Sequence, residues 1–154
     1  MDGKPHSRRL RIGRHSEPGR AYLLTACCRG RIRHFNDPLA ALIVLETLQW
    51  LDKEGRIGLL AAVVMPDHLH YVAVLRRGSL DRVMHSLKRH AAYAIHRKDG
   101  KSGGLWQSGY HDRALHNDRG VADAIDYCLQ NPVRAGLVVD FREYPHLWCK
   151  WGLS

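Results

Sequence analysis

The chain has no apolar run approaching the roughly 18 residues that a membrane-spanning helix needs. It reads as a soluble protein with no membrane partner. Met1 to Arg20 is polar and basic throughout, so no secretory leader is expected and the cytoplasm is the predicted compartment. No CxxC pair occurs. Cys27, Cys28, Cys128 and Cys149 are the four cysteines, and the Cys27-Cys28 doublet is poorly spaced for a zinc knuckle. They are expected to be small buried hydrophobes in a reducing compartment. Acidic residues are in deficit, 15 against 24 Lys and Arg, which leaves a formal charge of +9. That excess favours a polyanionic partner, most simply nucleic acid. The aromatic signature of an RRM-type sheet is missing. No internal repeat is present, and 154 residues suffice for one domain with a real core.

Residues 1–20 carry Arg8, Arg9, Arg11 and Arg14 among Pro5, Gly13, Pro18 and Gly19. This pattern predicts a basic arm, either a solvated tail or an element that grips phosphates. Ala21 to Cys28 reads as a strand. Asp37-Pro38 opens a helix that runs to about Glu54. Ile57–Met65 and His68–Leu75 read as two strands around a tight turn or bulge at Met65-Pro66-Asp67. Ser79 caps a helix whose apolar stripe is Leu80, Val83, Met84, Leu87, Ala91, Ala94 and Ile95. Much of its remaining surface is basic, with Lys88 and Arg89 as candidate DNA contacts. Leu105 to Leu115 can supply a fourth strand. Asn117 or Asp118 caps a last helix, predicted to end at Asn131-Pro132. An aromatic segment with Trp148 and Trp151 closes the chain. The order β-α-β-β-α-β plus a helix predicts an α+β, ferredoxin-like (split βαβ) antiparallel sheet. One face would pack on helices, and the other would be open to a substrate.

The most informative residues are His68 and His70, one apolar residue apart in a strand. Alternate side chains share a face, so the two imidazoles project together. Such a pair is half of a divalent-metal site. Tyr127 and Asn131 are four apart at the end of the last helix and also share a face. The Asn131 side-chain oxygen could complete a His/His/amide set, with Gln130 as the competing third ligand. Tyr127 would then lie beside the metal, where a positioned phenol can act as a nucleophile. Tyr110 is the rival nucleophile, and Trp106 is expected in the core.

Four blocks carry a family resemblance. They are Met65-Pro66-Asp67-His68-Leu69-His70, Ser86-Leu87-Lys88-Arg89, Gly104-Leu105-Trp106-Gln107, and Asp126-Tyr127 through Asn131-Pro132-Val133-Arg134-Ala135-Gly136. Together they make the chain resemble the HUH-type single-tyrosine transposases, in particular their repeat-associated (REP-associated) branch. The resemblance implies an arm over 1–20 and one catalytic domain over 21–154. It implies cleavage and rejoining of single-stranded DNA near hairpins, through a 5′-phosphotyrosine link. Carried onto this chain, Tyr127 is the nucleophile, His68, His70 and Asn131 hold Mg2+ or Mn2+, and the protein acts on the bacterial nucleoid as a monomer or homodimer. Two other classes remain open: a non-catalytic RRM-like nucleic-acid-binding module, and a hydrolytic metal-dependent nuclease.

Overall fold

Each strand is built by alternation, and the alternation decides which layer it faces. The computed structural model describes residues 16–101 and 103–153. β1 (Ala21–Cys27) is followed by α1 (Pro38–Lys53), β2 (Ile57–Met65), β3 (His68–Leu75) and α2 (Leu80–Asp99). β4 (His111–Leu115), α3 (Asp118–Arg134) and a short β5 (Leu147–Cys149) complete the order. The sheet order is β4-β1-β3-β2-β5, and every pairing is antiparallel. The first four strands have the split βαβ arrangement expected from the sequence.

One face of the sheet carries Leu24, Ala26, Leu69, Tyr71 and Ala73. It packs on Val44, Leu48 and Leu51 of α1 and on Val83, Met84 and Leu87 of α2. The opposite face carries Leu23, Val63 and Val72 and packs on Ala124, Cys128 and Leu129 of α3. The second face is therefore partly covered by the helix that bears Tyr127. β2 is buried along nearly its whole length because it is an inner strand with layers on both sides. All four cysteines are unpaired, and Cys28 and Cys128 are buried as expected.

The helix starts were legible. Asp37 accepts from the Leu39 amide, Ser79 from the Arg82 amide and Asn117 from the Gly120 amide. Two boundaries differ from the sequence reading. Of the stretch 105–115, only His111–Leu115 pairs with β1, while Trp106 makes an isolated bridge to Cys28. Trp106 is core, 7 % exposed, with its indole nitrogen on the Lys88 carbonyl. α3 does not stop at Asn131-Pro132 but continues to Arg134. Pro132 forfeits one helical donor, yet its ring is buried and the helix closes two residues later. Gly136, at φ 76°, provides the left-handed turn that ends it, and the Leu137 amide reaches back to the Pro132 carbonyl.

The arm expected over 1–20 lies largely outside the described residues, and Arg8, Arg9, Arg11 and Arg14 all do. Its last five residues are folded onto the domain. Ser16 Oγ accepts from the Leu80 amide, and the Gly19 amide donates to Leu75.

Leu69 is fully buried under α1 and α2, between the two histidines in sequence but on the other face. Leu69→Ala is expected to destabilise the domain by about 2–5 kcal/mol through lost burial and a residual cavity. A lower urea midpoint with an unchanged m-value is the predicted readout.

Candidate nucleic-acid processing site

The site is assembled where the β2–β3 hairpin meets α3. Met65 pairs with His68, so Pro66 and Asp67 alone form the turn. The turn is held from outside: the Phe35 amide donates to the Pro66 carbonyl and the Cys28 amide to the Asp67 carbonyl, both at 2.9 Å. His68 and His70 then emerge on the α3 face, with ring centroids 4.7 Å apart. His68 is partly exposed, and His70 is buried at 9 % exposure.

Each imidazole is oriented through Nδ1. His68 Nδ1 lies 2.7 Å from Asp67 Oδ1, and Arg31 Nε holds the other carboxylate oxygen at 3.0 Å. Burial raises the Asp67 pKa, but the hydrogen bonds from His68 and Arg31 outweigh it and keep the carboxyl below its usual range. An ionised carboxylate only accepts, so His68 donates through Nδ1, and in the neutral ring the lone pair is then on Nε2. His70 Nδ1 lies 2.7 Å from Thr25 Oγ1, its cross-strand neighbour in β1. In the tautomer whose Nδ1–H donates to Thr25 Oγ1, His70 has Nε2 free as well. Burial, then electrostatic repulsion from His68, Arg134, Arg31 and His111 (the histidines when protonated), pushes the His70 pKa down to about 3. His70 is therefore neutral at physiological pH, the form that ligates metal. Outer partners that fix imidazole tautomers are the usual support of metal-binding histidines.

Tyr127 meets His70 of this pair. Its ring lies 5.6 Å from that of His70, nearly edge-on at 72°. Asn131 follows one turn later; its side-chain Nδ2 is buried with no hydrogen-bond partner. Turning that amide over would put its oxygen in the same unsatisfied position, which suits a cation better than another donor. Gln130 is half-buried beside it. Among the described residues no group of three His, Cys, Asp or Glu side chains is placed to hold a metal. The donors on offer are two imidazoles and an amide oxygen, which are of a kind that suits a divalent ion.

The tyrosines separate cleanly. Tyr22 accepts from the Glu17 amide, Tyr71 donates to Met84 Sδ, Tyr93 accepts from Arg97, and Tyr144 donates to the Val64 carbonyl. Tyr110, the rival, is 7 % exposed, and its hydroxyl is held by Asp81 Oδ1 at 2.6 Å. Tyr127 is 42 % exposed, and its hydroxyl has no hydrogen-bond partner among the described residues.

The basic candidates are placed differently from one another. Arg89 is exposed on α2. Lys88 turns its ammonium inward onto the carbonyls of Gln107 and Gly109, tying α2 to the segment before β4. Thr25, Arg31 and Asp67 had no assigned role in the sequence reading. Asp67 could have been suspected from its place beside His68. Thr25 could not, because only strand register brings it to His70.

With this geometry in hand, the sequence profile described as "Transposase IS200 like" matches residues 19–127. The chain belongs to the IS200-like transposase family. It is 28 % identical over 87 residues to the REP-associated tyrosine transposase of Escherichia coli K12. That match covers 55 % of this chain and spans half the length of the relative. Among solved structures, a REP-associated tyrosine transposase bound to a REP hairpin shares the fold, with TM-score 0.72 and 20 % identity. It is matched over 87 % of this chain and 79 % of its own. A crystallised candidate transposase of Deinococcus radiodurans R1 is similar at TM-score 0.53 and 19 % identity, over 70 % of this chain and 86 % of its own. The family membership agrees with the resemblance read from the four blocks, and the likeness to solved structures supports the ferredoxin-like sheet. No helix among the described residues is long and apolar enough to cross a membrane.

Proposed function

We propose that this transposase-family chain cleaves and rejoins single-stranded DNA, at hairpin-associated repeats, through a covalent 5′-phosphotyrosine on Tyr127. The observation that carries the reading is the pairing of an unbonded Tyr127 hydroxyl with the oriented His68–His70 pair. In the forward step Tyr127 Oη bonds to the scissile phosphorus as its proton leaves to solvent. The bond from phosphorus to the 3′ oxygen breaks, and that oxygen takes up a proton. Rejoining runs the same exchange backwards, so no outside energy source is needed.

His68 and His70 through Nε2, and Asn131 through its side-chain oxygen, would hold Mg2+ or Mn2+. The bound ion supplies polarisation of the phosphoryl oxygen and a fixed orientation for in-line attack. Thr25, Asp67 and Arg31 keep the two imidazoles in ligating geometry, and α3 brings the phenol to the same place. The test is a denaturing gel with end-labelled single-stranded hairpin DNA and divalent metal. A protein-linked band supports the proposal; free product alone indicates a hydrolytic nuclease, and intact DNA a binding module.

The same reading places the protein in the bacterial cytoplasm, acting on the nucleoid as a monomer or homodimer. The catalytic domain extends over 21–154, and the basic arm before it, with Arg8, Arg9, Arg11 and Arg14, grips backbone phosphates together with Arg89 and the charge of Lys88. Affinity should then fall steeply with salt, because each phosphate contact releases counterions. Removing residues 2–14 should flatten that slope and weaken binding while the fold survives. Affinity that is flat with salt would remove the polyanion reading.

A third expectation concerns the histidine supports. Thr25→Val and Asp67→Asn should each weaken metal affinity about 10–100-fold without unfolding the protein. Calorimetric titration with Mn2+ measures this directly; unchanged affinity in both variants would dismiss their role.

A further inference from the structure

Arg134 sits in the Asn-Pro-Val-Arg-Ala-Gly block, and the chemistry above does not use it. It lies two helical turns after Tyr127 on α3. Its Nη2 donates to the Tyr127 carbonyl oxygen. Its guanidinium carbon also lies 4.2 Å from the centroid of the Tyr127 ring. One side chain therefore grips the same residue at backbone and ring. A planar fork can reach the carbonyl with one nitrogen while its plane stays over the ring, and the cation is attracted to the ring face. A lysine is a point donor on a flexible stem and cannot do both. The remaining ring contact is the near-perpendicular one with His70. Tyr127 is 42 % exposed, so a ring without Arg134 would be free to swing towards solvent.

We propose that Arg134 is a positioning residue for Tyr127. It pins the ring between its guanidinium and His70, so that the hydroxyl is presented at the histidine pair. This rests on the proposed role of Tyr127 and deepens it: the nucleophile is pre-aimed by a clamp built into its own helix.

The test compares wild type with Arg134→Ala, Arg134→Gln and Arg134→Lys on labelled single-stranded hairpin DNA at saturating protein and Mn2+. In Arg134→Ala the first-order rate of adduct formation should fall between about tenfold and a hundredfold, the cost of a misplaced reacting group. DNA affinity in chelator and the Mn2+ dependence should be unchanged. Arg134→Lys should fall nearly as far as Arg134→Ala, and Arg134→Gln should track them. A phosphate-binding role would instead weaken DNA affinity, with recovery in Arg134→Lys, and would overturn the proposal. A wild-type rate in Arg134→Ala would overturn it as well.

A second readout does not need the reaction. With 3-fluorotyrosine incorporated, the 19F line that Tyr127→Phe removes should shift towards the exposed-tyrosine position in Arg134→Ala. A line that does not move means there is no clamp. If the line moves but wild type forms its adduct on another residue, the role of Tyr127 fails while the ring contact stands.

Discussion

Tyr127→Phe is expected to form no covalent DNA adduct and to cleave no strand, while folding and DNA binding stay as in wild type. The substitution removes one oxygen and keeps the ring. The hydroxyl has no hydrogen-bond partner among the described residues, so its loss leaves no buried group unsatisfied. The contacts of the ring with His70 and with the Arg134 guanidinium are made by the aromatic face and edge, which phenylalanine retains. Tyr110→Phe is the matched control. There the substitution gives up the hydrogen bond to Asp81 Oδ1, so stability should fall, yet adduct formation should persist. The two variants thus separate chemistry from structure in opposite directions. Cleavage that survives in Tyr127→Phe would assign the attack to water or to another side chain.

The second large effect is expected at the histidines. His68→Ala and His70→Ala should each lower cleavage by at least about 10²–10³-fold, the scale set by losing one preorganised group that stabilises transition-state charge. Chelation of wild type should do the same, and DNA binding should remain, because the proposed phosphate grip lies on other residues. The two variants should differ in stability. His68 is partly exposed, whereas His70 is buried against Thr25 and Tyr127, so His70→Ala leaves a cavity and an unpartnered threonine hydroxyl. His70→Gln fills more of that space and separates a lost ligand from a loosened core. Full activity in chelator, with metal absence verified, would end the metal reading.

Legibility followed physical range. β1, β2, β3 and the starts of all three helices were readable because alternation, helical periodicity and caps are local signals. The same locality put His68 and His70 on one face, and Tyr127 and Asn131 on another, before any fold was known. β5 was missed because three residues, Leu147–Cys149, are too few to show a period. The extent of α3 was missed because Pro132 is a strong stop signal locally, while its burial is a tertiary term that outweighs it. β4 came out shorter than expected because Trp106 turns into the core instead of continuing the ladder. Thr25, Arg31 and Arg134 were invisible as site residues for one shared reason. Each acts through a partner that only the fold brings near: Thr25 across strands, Arg31 across a loop, Arg134 two turns along a helix that was predicted to have ended.

The most direct measurement is peptide mapping of the adduct formed by wild-type protein on single-stranded hairpin DNA. After nuclease trimming and proteolysis, nucleotide mass should appear on the peptide containing Tyr127, attached through a 5′ phosphate, with a free 3′-hydroxyl on the released strand. Nucleotide mass on the Tyr110 peptide, or cleaved DNA with no protein-linked nucleotide at all, would contradict the account.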